Sequence, residues 1–104
     1  MLYMVVERFL HGARPVYERA AAHGRLLPPG LRYVESWVDE RLETCFQLME
    51  ADDRRTLEAW ASEWQDLVSF EIVPVIGTEE AAARALGADA DFGGTTESAS
   101  TPPE

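Results

Sequence analysis

The sequence contains no lysine and no asparagine, and all nine of its basic residues are arginine. They stand against 19 acids, for a formal net charge of −10. That excess of acid excludes the basic stripe a nucleic-acid partner needs, and it opposes docking on an anionic membrane surface. The single cysteine, Cys45, rules out an intrachain disulfide and suits a reducing compartment. Motifs with a fixed chemistry are missing too: no Cys-x-x-Cys, no HExxH, no glycine-rich phosphate loop, no Gly-x-Ser-x-Gly elbow. The residue pattern therefore calls for no metal and no cofactor. No apolar run approaches a membrane span. The opening MLYMVVERF has none of the basic leader, long apolar core and small-residue cleavage site of a signal peptide, so the expected location is the cytoplasm.

What is present, in 104 residues, suits one small core. Residues 2–9, LYMVVERF, are rich in β-formers and read as a buried strand. From about Arg14 a helix follows, with Pro15 near its first position and Gly24 at its stop. Its stripe is Val16, Ala20, His23 and Leu27, flanked by Tyr17 and Ala21. Pro28-Pro29-Gly30 makes a stiff turn. Residues 31–50 read as two strands around a polar turn at Asp39–Glu43, with Trp37 facing Cys45, Glu35 facing Gln47 and Tyr33 facing Met49. Asp52 or Asp53 caps a second helix, on which Leu57, Trp60, Ala61, Trp64 and Leu67 recur at helical spacing. Residues 68–76 form a fourth strand, with Pro74 marking an edge. A short alanine-rich helix is expected over 79–86. From Gly87 the composition turns to Gly, Ser, Thr, Asp and Pro, with Phe92 its one large apolar residue. The expected division is thus one domain over 1–86 and an acidic tail over 87–104 that does not order by itself.

The order β-α-β-β-α-β is that of the ferredoxin-like α+β fold: a four-stranded antiparallel sheet, order 4-1-3-2, with two helices on one face. Parity assigns Met4, Val6, Val34, Val38, Phe46, Leu48, Phe70 and Ile72 to the helix side. Tyr3, Val5, Glu7, Tyr33, Glu35, Trp37, Cys45, Gln47, Met49, Glu71 and Val73 are then expected on the open side. An open face that apolar marks an interface or a ligand site. Two such sheets closing face to face would make a homodimeric α+β barrel.

LYMVVERF, PVYERAAAHGRLLPPGLRYVESWV, CFQLME and WASEWQDLVSFEIVPV, in this order over residues 1–85, resemble the bacterial domain-of-unknown-function 3303 family. The resemblance implies the dimeric α+β barrel group and carries no catalytic residue with it. Barrels of that group range from cofactor-free oxygenases and haem-degrading enzymes to small sensor proteins, so fold analogy does not settle function.

Candidate sites come from the residues themselves. Tyr3, Tyr33, Trp37 and Met49 are expected to line an apolar pocket or a dimer seam, with Gln47 orienting a small hydrophobic or aromatic ligand. Glu7, Glu35 and Glu71 form either a carboxylate cluster able to exchange protons near neutrality or ordinary strand acids paired with Arg8 and Arg32. His11, after the first strand, is a further proton-transfer candidate. Cys45 reads as a buried inert thiol rather than a nucleophile. Three functions follow: a dimeric barrel that binds a small hydrophobic molecule, a cofactor-independent monooxygenase using Glu7, Glu35 or His11 as base, or an interaction module with a filled barrel.

Overall fold

In the computed structural model, which describes residues 1–87, β1 (Leu2–Phe9) is flanked by β3 (Thr44–Ala51) and β4 (Val68–Val75), both antiparallel to it. β2 (Leu31–Val38) pairs antiparallel with β3, giving the expected order β2-β3-β1-β4. Helices α1 (Ala13–His23), α2 (Arg54–Ser62) and α3 (Thr78–Leu86) complete an α+β chain of order β-α-β-β-α-β-α. The tail expected over 87–104, Phe92 included, lies outside the described residues apart from Gly87.

Local chemistry explains the element ends. Asp53 caps α2 by accepting the Thr56 N–H at 2.8 Å. Gly24 ends α1 at φ 72°, its N–H donating to the Ala20 carbonyl at 2.7 Å. Pro74 sits on the edge strand β4, where a missing N–H is tolerated. In the β2–β3 turn the Asp39 carboxylate accepts the N–H groups of Arg41, Glu43 and Thr44. These bonds hold its pKa below the ordinary value. Leu42 closes the turn at φ 61°, a left-handed conformation that an L side chain resists. Leu42→Asn is therefore expected to raise the unfolding free energy by about 0.5–1 kcal/mol, measured by urea titration.

The expected assignment of faces is overturned for β1, β3 and Tyr33, while Glu35, Trp37 and Val38 of β2 keep theirs. Tyr3, Val5 and Glu7 of β1 and Cys45, Gln47, Met49 and Ala51 of β3 are the buried residues, and they lie beneath the helices. With Leu31, Val68, Leu57, Trp60, Ala61 and Trp64 most of them form the core. Both parities of β1 and β3 carry bulky apolar side chains, so alternation alone does not choose between them. Charge does: burying the even set would take Arg8 and Glu50 under the helices, whereas the odd set brings only Glu7, which finds a hydrogen-bond partner there. β4 keeps its expected face, because β1 and β4 pair residues of opposite parity, Val5 with Ile72 and Glu7 with Phe70.

The hairpin register is also corrected. Tyr33 does face Met49, but a bulge between Tyr33 and Glu35 shifts every later pair by one. Glu35 faces Leu48, Ser36 faces Gln47, and Trp37 faces Phe46. The bulge lets Tyr33 and Ser36 turn to the same side, where their hydroxyls lie 2.8 Å apart. The open face is thus Met4, Val6, Leu48, Phe46, Trp37 and Val73, with Trp37 52% and Phe46 39% exposed.

Candidate functional site

Helix α1 buries no residue fully; only Val16 and Ala20 rest on the core. Its hold on the rest comes partly from Arg19, whose guanidinium grips the Asp66 carboxylate at 2.9 and 2.6 Å and the Glu63 carbonyl at 3.0 Å. The gap that this stand-off leaves is a cavity of about 330 Å³ between α1, α2 and the helix-covered side of the sheet. Its walls are mostly apolar: Phe9 from β1, Val16, Tyr17 and Ala20 from α1, and Trp60 and Trp64 from α2 and the turn after it. The polar lining is Glu7, Gln47, Cys45, Ser36 and Arg25.

Strand pairing places these polar groups. Glu7 lies directly opposite Cys45, and Gln47 is one alternation further along β3. The Gln47 amide donates from Nε2 to Glu7 Oε2 at 2.7 Å, and its Oε1 accepts a long bond from Arg25 Nε at 3.4 Å. The Arg25 carbonyl accepts both indole N–H groups, from Trp60 at 2.8 Å and Trp64 at 3.3 Å. Its guanidinium lies over the Tyr33 ring, 3.7 Å from the centroid. The loop after α1 is thereby pinned beside the pocket, which the exposed Arg25 helps to line.

Burial pushes the Glu7 carboxyl up to about 7, against the opposing pull of the Gln47 hydrogen bond and the Arg25 charge. Burial, with the Glu7 charge adding to it, pushes the Cys45 thiol up to about 12. Tyr17 is raised by burial first, and then by the Cys45 and Glu7 charges. At neutral pH the pocket thus holds a neutral thiol, a neutral phenol, a carboxyl poised between its two forms, and one permanent cation. Cys45 is expected to stay unreactive toward a disulfide reagent at pH 8 until urea unfolds the chain, which a colorimetric thiol titration would read.

The residues expected to share one site are divided between two faces. Glu7 and Gln47 line the cavity. Tyr3 and Met49 are on the same side but belong to the closed core, and Tyr33 lies under Arg25. Trp37, Glu35 and Glu71 stand on the opposite face. Glu35 accepts the Ser36 N–H, and Glu71 lies 3.8 Å from Arg8. His11 is exposed in the β1–α1 turn and does not line the cavity.

The sequence model of a family described as Domain of unknown function (DUF3303) matches residues 1–88. The chain belongs to that family. No curated protein and no solved structure matches it. Among the described residues of this DUF3303 chain, no helix is long and apolar enough to cross a membrane. Nor do three His, Cys, Asp or Glu side chains gather as metal ligands would. Sequence reasoning passed over Arg25, Tyr17 and Phe9, and took Trp60 and Trp64 for core alone. The Gly24-Arg25 pair just past a helix stop was the available signal, since it returns a cation to the end of an apolar stripe.

Proposed function

We propose that this chain binds a small, largely apolar molecule in the cavity between the sheet and α1, with Glu7 and Gln47 meeting its polar end. The observation that carries this reading is the 2.7 Å contact of a buried carboxyl and an amide at a mostly apolar cavity of about 330 Å³. Convergent polar groups in an apolar hollow are the usual composition of a ligand site. The volume stands at the small end of the usual range, which favours one- or two-ring molecules. Calorimetric melting in the presence of a panel of small aromatic compounds tests it, because a ligand of the folded state raises the melting temperature. Ala20→Trp, which fills the cavity from α1, should abolish the shift. A panel without effect on the parent protein, or an equal shift in the filled variant, would overturn the reading.

A second reading, a cofactor-independent monooxygenase-like enzyme, is favoured by Glu7 titrating at about 7, where a general base works best. Glu7 would take a proton from an aromatic substrate before oxygen attacks. Oxygen uptake with phenolic substrates, absent in Glu7→Gln, is its signature.

We also propose that two copies of this ferredoxin-like sheet pair through the open face into a dimeric α+β barrel. Support comes from the exposed Trp37, Phe46, Val34 and Val73, large apolar side chains of the kind that gather at interfaces. The cavity opens on the other side of the sheet, so ligand binding does not need the barrel interior. Light scattering at micromolar concentration should give a dimer for the parent and a monomer for Trp37→Glu.

A further inference from the structure

The overall charge of the chain is −10, yet among the described residues the only permanent charge lining the cavity is the positive one of Arg25. The groups facing Glu7 are Gln47 and Cys45 from β3, Tyr17 from α1 and Arg25 from the loop after it; α2 and β4 present only Trp60, Trp64 and Phe70 on that side. Cys45 and Tyr17 stay neutral at ordinary pH. Among the described residues no carboxylate pairs with Arg25, although seven other ion pairs form. Its guanidinium is spent on the face of Tyr33 and on one long bond from Nε, which leaves the two terminal nitrogens unengaged. Glu7 likewise has work left to do. Oε2 accepts from Gln47, while Oε1 has no hydrogen-bond partner among the described residues. No buried side-chain oxygen among the described residues lacks a partner, so Oε1 must open to the cavity.

We propose that the ligand of this cavity is a small aromatic carboxylate, its ring held between the indoles of Trp60 and Trp64 and the α1 side chains. Its carboxylate accepts from the terminal nitrogens of Arg25, the geometry in which arginine binds carboxylates most strongly. The Glu7 carboxyl, protonated as the anion arrives, donates from Oε1 to the second ligand oxygen. Two carboxylates cannot share that space ionised, so binding takes up one proton above the Glu7 pKa. This inference rests on the pocket reading above and goes further only in naming the ligand's charge and its two holds.

Titration calorimetry with 1-naphthoate and the neutral 1-naphthalenemethanol, on the full chain, separates the two layers. At pH 6 the acid should bind at least about tenfold tighter than the alcohol, the worth of one charge-assisted bond. Between pH 7 and 8 its affinity should fall about fivefold, steepening toward tenfold per pH unit above that, as the Glu7 proton must be supplied, while that of the alcohol stays level. Glu7→Gln should remove the pH slope. Arg25→Met, which leaves the anchored backbone carbonyl in place, should remove the acid's advantage, so that acid and alcohol bind that variant about equally. An alcohol that binds as tightly as the acid overturns the carboxylate and leaves the pocket reading standing. A pH slope that survives Glu7→Gln overturns the role of Glu7. If neither compound binds a chain whose circular dichroism shows it folded, both layers fall.

Discussion

Glu7→Gln is expected to make the protein more stable than its parent at pH 8, by about 1–3 kcal/mol, and to leave it nearly unchanged at pH 4. In the folded chain the Glu7 carboxyl keeps its proton up to about pH 7, whereas the unfolded chain releases it at the ordinary value near 4.5. Between those two values the folded state binds more protons, so stability is greatest below about 4.5 and falls as pH rises through 7. The whole gap corresponds to about 3 kcal/mol, an upper figure because the cavity admits some water. Glutamine has nearly the same shape and no charge to desolvate, and its side-chain oxygen can still accept from Gln47. Urea midpoints of both proteins from pH 4 to 8 measure this, since the difference curve cancels every other titrating group. A flat difference curve would mean that Glu7 ionises in the folded state as easily as in water.

The other large effect falls on Trp60. Trp60→Ala is expected to cost about 3–5 kcal/mol, as for other large-to-small changes in cores. The ring is 4% exposed, meets Phe70 edge-on at 5.7 Å between centroids, and donates to the Arg25 carbonyl. A small domain has little more than that to lose, and each kcal/mol is worth about 4–8 °C in melting temperature. Trp60→Phe separates the two contributions: it keeps most of the packing and removes only the N–H donor, for about 0.5–1.5 kcal/mol. Trp64 still supplies the second donor to that carbonyl. Thermal unfolding of the two variants should therefore rank parent, Trp60→Phe, Trp60→Ala. An alanine variant that melts with the phenylalanine one would show that the ring packs loosely.

Element types and strand order were readable because they rest on local signals. The spacing of Leu57, Trp60, Ala61 and Trp64, the Asp53 cap, Gly24 and Pro74 each act within a few residues. The faces of β1 and β3 were not readable, since Met4 and Val6 are as apolar as Tyr3 and Val5, and only the helices decide which set they cover. The bulge at Val34 has no glycine to announce it, yet it lets Tyr33 join Ser36 on the helix side while Glu35 stays on the open one. Gln47 and Glu7 were named from sequence as site residues, and the fold places Trp37, Glu35 and Glu71, named with them, on the opposite face. Arg25 belongs to a loop whose position depends on two tryptophans some 35 and 39 residues later in the chain. Contacts of that separation leave no periodic trace.

The distribution of the three tryptophans has a practical consequence. Trp60 and Trp64 line the cavity with their indole N–H groups on one carbonyl, and Trp37 stands alone on the opposite side of the sheet. The chain thus carries separate intrinsic fluorophores for its two surfaces. An occupant of the cavity alters the emission of the buried pair, and a partner on the open face shifts that of Trp37 toward the blue as water leaves it. With Trp37→Phe as the reference, a single emission spectrum reports on the two surfaces separately, without any added label.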